Sequence, residues 1–292
     1  MPHSAGEAWF TERMLGLAGY SYRIKRTLHS EQSAYQQIDA YETHSHGNLL
    51  VLDGCIMLTE RDEFIYHELL AHVAAQTIAA PSRAAVVGGG DGGVVRELLK
   101  YPELHVSLVE IDERVVRVSE RLFPKVSAGL RDPRVSVLFE DGAKYLASRA
   151  EGELDLIVVD STDPVGPATA LVQDSFYAQA ARVLSSKGVF VAQTQSPFFH
   201  AAEIRAIYAA LGGSFDRVWM YWGVCPSYPG QLWTFCYASK GSHPLDDFDP
   251  PAGLSQRLGT GYYSAAVHRA AFALPPFVQA LLPEGHSQRV DL

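Results

Sequence analysis

The sequence predicts an α/β fold: a doubly wound, mostly parallel sheet with a small β-rich segment in front of it. Three observations lead there. From Arg83 onward, short continuous apolar runs alternate with helix-length stretches, the pattern of strands buried on both faces and joined by helices. The first such run ends in Val86-Val87-Gly88-Gly89-Gly90-Asp91-Gly92-Gly93, a turn that lets backbone approach a ligand and tolerates positive φ. Before residue 60, polar and apolar residues alternate with a period of two between glycine-containing turns, as in half-buried strands.

In the β-rich segment, Tyr20–Leu28 and Tyr35–Tyr41 alternate. Gly47-Asn48 makes a turn, and Leu49–Leu52 runs into a second turn at Asp53-Gly54. Thr59-Glu60-Arg61-Asp62 reads as a helix start, with Thr59 as N-cap and Asp62 three residues on. That helix carries Phe64, Leu69, Leu70 and Val73 and runs to about Ala80, where Pro81 closes it. Strand Ala84–Val87 then leads through the glycine loop to helix Val94–Lys100, and strand His105–Glu110 to helix Glu113–Phe123. Strand Val135–Phe139 leads to a helix from Ala143 to about Ala150. Strand Asp155–Val159 is followed later by helix Gln173–Leu184, and strand Gly188–Gln193 by helix Ala202–Ala210. Aromatic-rich strands Val218–Trp222 and Gln231–Ala238 close the sheet. The expected organisation is a β-strand domain over 1–60, a connecting helix over 61–81, and a Rossmann-like, nucleoside-binding catalytic domain over 82–292.

The 292 residues, 47% hydrophobic and 20% charged, fit one large or two modest globular domains. A net charge of -9 argues against a general nucleic-acid binder and suits a cationic small substrate, although mild acidity is also ordinary in cytoplasmic enzymes. Cys55, Cys225 and Cys236 are far apart and form no CxxC, so they read as packing residues in a reducing compartment. The opening Met1-Pro2-His3-Ser4-Ala5-Gly6-Glu7 lacks a basic and an apolar region, and no signal peptide is expected. No apolar run approaches the roughly 18 residues of a membrane span. A cytoplasmic protein without a membrane or nucleic-acid partner is expected.

In a doubly wound sheet, ligands sit at the carboxyl ends of the strands. Here the first four strands end in Gly88–Gly93, Glu110, Asp141 and Asp160, each an acid or a loop holding one. A pyrophosphate loop wants backbone N–H groups and a helix N-terminus, not a carboxylate. Asp91 therefore points to a nucleoside whose nearby end is cationic. Glu110 lies 20 residues beyond Gly90, where an acid commonly holds ribose hydroxyls. Asp141 could accept from an adenine amino group. One strand-end acid is more often a helix N-cap or solvated; four in succession favour a ligand. The glycine loop alone also fits dinucleotide enzymes.

The strongest local motif is Asp160-Ser161-Thr162-Asp163-Pro164-Val165-Gly166-Pro167, two acids beside a turn stiffened by prolines. It reads as an Asx-turn with a cap, or as a carboxylate pair that holds an amine and removes its proton. An alkylamine is almost fully protonated at neutral pH and attacks carbon only when neutral. Tyr66-His67-Glu68 precedes the nucleoside-binding half. Ordinarily these are core and surface helix residues, and their position gives them a second, functional reading. His44 and His46 read as solvent-exposed, not metal ligands, and no ligand cluster with metal spacing is visible. Pro226-Ser227-Tyr228-Pro229-Gly230 is placed to close over a substrate or simply to connect two strands.

Together these residues resemble the spermidine synthases, the polyamine aminopropyltransferase family. The resemblance rests on Leu52-Asp53-Gly54, Thr59–Glu68, Gly88–Gly93 with Arg96-Glu97, Val109–Asp112, Asp132-Pro133-Arg134, Asp141-Gly142 and Asp160–Pro167. It extends to Tyr262-Tyr263 and His268–Phe272 near the end. It implies a class I methyltransferase-like domain behind a small N-terminal β domain. It also implies transfer of an aminopropyl group from decarboxylated S-adenosylmethionine to putrescine, giving spermidine and 5'-methylthioadenosine. Asp160 is the implied proton acceptor, assisted by Tyr66. Gln36, Gly88, Gly90, Glu110, Asp141, Gly142 and Pro167 are the implied nucleoside-side residues. His67, Asp91, Asp163 and Tyr228 are those on the amine side. No metal and no resident cofactor are implied, and a homodimer or homotetramer is expected.

Three positions bear on the amine: Met57, where several eukaryotic members carry glutamine and some bacterial members also have methionine, Thr162 in place of a frequent serine, and a 226–230 loop one residue off the usual pattern. Cadaverine, agmatine or spermidine therefore remain alternative acceptors. A small-amine N-methyltransferase on the same fold is the competing enzyme reading, and a non-catalytic ligand sensor is the competing reading from another class. Retention of Asp91 and every other acid favours aminopropyl transfer.

Overall fold

The computed structural model describes residues 7–162, 166–283 and 288. Five strands come first: β1 (Trp9–Met14), β2 (Ala18–Gln32), β3 (Gln37–Thr43), β4 (Asn48–Leu52) and β5 (Cys55–Thr59). They form an antiparallel sheet in chain order, joined by tight turns that include Gly16, Gly47 and Gly54 at positive φ. β2 is longer than the alternation suggests, while β1 and β5 are additions to it. Trp9-Phe10-Thr11-Glu12 lacks clean alternation, and β5 is a single hairpin partner of β4.

Helix α1 (Glu63–Ala75) links the two sheets and is shorter at both ends than predicted. Thr59 is not its cap: it is the last residue of β5, paired with Leu49, and its hydroxyl donates to Asp62 Oδ1. Asp62 takes the N-cap position. At the other end Thr77 Oγ1 donates to the carbonyl of Ala74 at 2.8 Å. That stops the helix before Pro81, since a capped last turn needs no further partner.

The second sheet has seven strands: β6 (Arg83–Gly88), β7 (His105–Glu110), β8 (Val135–Phe139), β9 (Leu154–Asp160), β10 (Leu184–Gln193), β11 (Arg217–Val224) and β12 (Leu232–Ser239). Their spatial order is β11-β12-β10-β9-β6-β7-β8. β8, β7, β6, β9 and β10 run parallel, and β12 is antiparallel to both β10 and β11. The connecting helices are α2 (Gly93–Leu98), α3 (Glu113–Leu122), α4 (Gly142–Ser148), α5 (Asp174–Val183) and α6 (Ala201–Gly212). Short helices α7 (Leu254–Leu258), α8 (Ala265–Ala271) and α9 (Pro276–Gln279) follow the last strand.

The sheet is buried on both faces, which explains its unbroken apolar strands. Ala84, Val86, Leu108 and Val158 pack with Leu69, Leu70 and Val73 of α1 on one side. Ala85, Val87, Ile157 and Phe190 pack with Phe176, Tyr177 and Ile204 on the other. Each large apolar side chain so buried contributes about 1.5–3 kcal/mol. The small sheet lays Ile38, Leu50, Leu52 and Leu58 on Val115, Val118 and Phe123 of α3 and its end. This contact sets β4 and β5 across from the carboxyl ends of β6 and β7.

Chain order reverses between β6 and β9, because β7 and β8 follow on one side and β10 on the other. The crevice at that reversal is where doubly wound sheets bind ligands. The register pairs Gly88 with Asp160 there, so the glycine loop and the acidic motif meet directly.

Candidate active site

A cavity of about 370 Å³ opens at this reversal. Its floor is the ends of β6, β7 and β9, its opposite wall is the small sheet, and Tyr228, Pro229 and Trp233 complete it. The volume suits a nucleoside-sized ligand with an extended tail.

The glycines serve the chain's own packing as well as any ligand. Gly88, Gly89 and Gly92 have φ of 79°, 67° and 84°, a region that side chains rarely adopt. A Cβ on Gly88 would lie 2.2 Å from the Asp160 carbonyl oxygen, and one on Gly93 would lie 2.2 Å from the His67 ring. One on Gly90 would press on the Glu110 carboxylate at 3.0 Å. The loop is thus glycine-rich because Asp160, Glu110, Leu130 and the His67 ring crowd it.

Asp160 ends β9. The Tyr66 hydroxyl donates to its Oδ1 at 2.8 Å, whereas Oδ2 has no hydrogen-bond partner among the described residues. Burial, then the neighbouring Asp91 carboxylate, push Asp160 up to about 6, against the pull of His67 and the Tyr66 hydrogen bond. The same burial, with Asp160 beside it, holds the Tyr66 hydroxyl well above its ordinary value, so it stays a donor.

Asp91 Oδ1 accepts the Gly93 N–H at 2.7 Å and lies 3.3 Å from His67 Nε2. The other ring nitrogen of His67, Nδ1, is 2.6 Å from Glu63 Oε2. Burial would lower His67, but Asp91 and then Glu63 outweigh it and hold the ring well above the ordinary histidine value. Both ring nitrogens of His67 thus face carboxylates, an arrangement that favours the charged ring. His67, Asp91 and Asp160 present one ligand atom each within 4.8 Å of one another. Such a cluster is of metal-ligand type, and the sequence spacing concealed it because the three residues lie on three separate elements.

Glu110 is 8% exposed. Its Oε1 accepts the Asp112 N–H at 2.9 Å, and burial pushes it up to about 7 despite that bond. Asp141 Oδ1 caps α4, accepting from Ala143 and Lys144 N–H at 2.8 and 3.1 Å, yet Asp141 and Gly142 also line the cavity. Oδ1 thus meets the cap reading, while the side chain also stands on the cavity wall. Gln36 lines the cavity from the β2–β3 connection and donates to Asp112 Oδ2 at 3.1 Å. Asp163 lies outside the described residues, and Pro167 falls in the short 3-10 turn Gly166–Val172.

The 226–230 segment is a tied wall. Tyr228 Oη donates to the Met57 carbonyl at 2.6 Å, Ser227 Oγ to Asp62 Oδ2 at 2.5 Å, and Gly230 N–H to Tyr20 Oη at 2.6 Å. The Tyr228 ring meets that of Tyr66 edge-on at 5.3 Å. Of the two early histidines, His44 is exposed but His46 is half-buried, its ring edge-on to Tyr22 at 4.8 Å. Cys225 and Cys236 are buried free thiols, and Cys55 lies on the cavity wall.

Several contributors had no distinct sequence signal. Gln193 ends β10; it donates to the Ser161 carbonyl at 3.2 Å and accepts from Trp233 Nε1 at 3.1 Å. It thus holds the residue that follows Asp160. Glu12, buried in β1, lines the cavity and accepts the Ile56 N–H at 2.8 Å. Glu63 appears only as an early helix acid in the sequence, though its i, i+4 spacing to His67 was available.

Residues 63–249 match the family model described as the spermine/spermidine synthase domain. The chain belongs to the spermine/spermidine synthase family. Residues 8–60 match a second model, described as the spermidine synthase tetramerisation domain. The chain is 45% identical over 275 residues to a polyamine aminopropyltransferase of Moorella thermoacetica, covering 94% of this chain and 96% of that protein. It is 43% identical over 277 residues to one of Shouchella clausii, with 94% and 99% covered. A spermidine synthase solved with the transition-state analogue AdoDATO superposes with a TM-score of 0.91 at 35% identity, covering 97% of this chain and 96% of that one. The spermidine synthase of Thermotoga maritima gives 0.90 at the same identity and coverage. Among the described residues, no helix is long and apolar enough to cross a membrane.

Proposed function

We propose that this member of the spermine/spermidine synthase family transfers the aminopropyl group of decarboxylated S-adenosylmethionine to putrescine, giving spermidine and 5'-methylthioadenosine. The observation that carries this is the open Oδ2 of Asp160, a buried acceptor in a cavity lined by carboxylates. A neutral amine nitrogen attacks the carbon next to the sulfonium. The new C–N bond forms as the C–S bond breaks, the sulfur leaves as a neutral thioether, and Asp160 takes the amine's proton. Tyr66 keeps Asp160 Oδ1 occupied, so that Oδ2 faces the amine.

Glu110 accepts from the ribose hydroxyls and Asp141 from the adenine amino group, with Gln36, Gly88, Gly90, Gly142 and Pro167 shaping the nucleoside half. Asp91 attracts the donor's amine and repels the carboxylate that S-adenosylmethionine would bring. Asp163 and Tyr228 complete the amine side, and His67 acts there through Asp91. The leaving group is already activated by its positive charge, so the reaction proceeds without metal or resident cofactor. The protein works in the cytoplasm, consistent with its free thiols, as a homodimer or homotetramer, for which the match of residues 8–60 is the support.

The test is product analysis with putrescine and each sulfonium donor in turn. Spermidine and methylthioadenosine from the decarboxylated donor alone support the proposal. An N-methylated amine from S-adenosylmethionine would overturn it.

A further inference from the structure

Glu63 and Arg96 touch no substrate position, yet they end a line of alternating charges that begins at the reacting groups. Arg96 grips Glu63 through both terminal nitrogens, at 2.8 and 2.9 Å. Glu63 Oε2 meets His67 Nδ1 at 2.6 Å, and His67 Nε2 meets Asp91 at 3.3 Å. The His67 and Glu63 side chains are 3% and 9% exposed. The ring therefore cannot turn without leaving a buried carboxylate unpaired. Arg96 is fixed in its turn by Glu97 Oε1 at 2.9 Å.

We propose that Glu63 and Arg96 are positioning residues: they hold His67 as a buried imidazolium beside Asp91, and that cation keeps Asp160 ionised and able to take the amine's proton. Asp91 and Asp160 lie within 4.8 Å of each other and of His67, and two carboxylates so close and so shielded discourage each other's ionisation. A fixed cation between Glu63 and Asp91 offsets this without occupying the space of the substrate. The groups facing His67 are Glu63 and Tyr66 from α1, Asp62 before it, Asp91 from the glycine loop, and Asp160 from β9. Arg96 from α2 stands behind Glu63, and Cys225 and Tyr228 line the same small pocket as the ring. Only Arg96 among these is a cation, and Glu63 is the only carboxylate on Nδ1, so loss of Glu63 leaves the ring's charge to Asp91 on Nε2 and the more distant Asp160. His67 raises its hold on Asp160 from the same position, drawing that carboxyl down against burial and Asp91.

This inference rests on the aminopropyl-transfer reading for its kinetic arm and is independent of it in its spectroscopic arm. In the first arm, kcat is followed against pH in wild type, Glu63→Gln and Glu63→Asp, with methylthioadenosine affinity as the control for an intact nucleoside half. Glu63→Gln is expected to keep that affinity within about twofold while the acid limb of the kcat profile moves up by about one pH unit. Activity then recovers at higher pH, and Glu63→Asp restores part of the shift. A loss by the same factor at every pH would make Glu63 merely structural and overturn the proposal. In the second arm, the ring of His67 is titrated by NMR in wild type, with His67→Asn used for assignment. A titration well above the ordinary histidine range supports the proposal, and one within that range overturns it whatever the reaction proves to be. If no amine turns over with either donor, the functional reading fails while the spectroscopic arm still decides this one.

Discussion

Replacing Asp91 by asparagine should erode the choice between the two sulfonium donors. The decarboxylated donor presents an amine where S-adenosylmethionine also carries a carboxylate. At about 4 Å from Asp91, a like charge costs about 4 kcal/mol at an effective dielectric of about 20. The His67 imidazolium stands 3.3 Å from Asp91, and at about 7 Å from the incoming carboxylate it returns about 2 kcal/mol. The net discrimination from this pair is about 2 kcal/mol, or roughly 10- to 30-fold. Asp91→Asn also keeps an oxygen for the Gly93 N–H that now bonds Oδ1, so the loop should hold its shape. Affinity for the decarboxylated donor is expected to fall, and that for S-adenosylmethionine to rise or stay level. Dissociation constants for both donors, measured by calorimetry at matched salt, give the ratio. If both weaken by the same factor, Asp91 only shapes the loop and the charge argument is refuted.

Asp160→Asn should lose on the order of 10²–10⁴ in kcat while still binding methylthioadenosine; near-wild-type turnover at neutral pH would remove Asp160 as the base. Glu110→Gln should weaken donor and methylthioadenosine binding together by about 1–3 kcal/mol, and unchanged affinity in calorimetry would remove it from the ribose. Glu110 is also the source of a pH dependence. Its folded value of about 7 lies above the ordinary 4.5, so its ionised form is disfavoured in the empty site and the proton must leave for the carboxylate to accept two hydroxyls. Methylthioadenosine affinity should therefore hold above pH 7 and fall toward tenfold per unit below it, and a flat profile from pH 5 to 8 would contradict this. Finally, EDTA should leave turnover unchanged; loss of activity restored by a divalent ion would show that the His67, Asp91 and Asp160 cluster holds a metal.

Most of the fold was legible because its strands obey one rule. Ala84–Val87 and Leu156–Val159 are continuous apolar runs since both faces are covered, and runs of that kind between helices have few other readings. The edges of elements were less legible. Thr59 looks like a helix cap, yet its place in β5 opposite Leu49 depends on a tertiary pairing that local sequence does not encode. The strand-end acids were readable for the same reason as the strands. What each acid does beyond its position was not. The contact of His67 Nε2 with Asp91, the open Oδ2 of Asp160 and the grip of Gln193 on Ser161 all arise from distant segments packed side by side, whereas the Glu63 contact on Nδ1 is local. Glycine was read as room for a ligand, but at Gly88 and Gly93 it is equally room for Asp160 and His67.

Catalysis turns on Asp160 accepting a proton as an aminopropyl group moves to an amine. Rapid-quench single turnovers of decarboxylated S-adenosylmethionine with putrescine, followed from pH 5 to 8, test both halves at once. The expected result is one spermidine for each methylthioadenosine, with a rate that climbs through a midpoint near 6, the value to which burial and Asp91 push the Asp160 carboxyl, and a midpoint that disappears in Asp160→Asn. Methylthioadenosine released without spermidine, or the same midpoint in the variant, would contradict it.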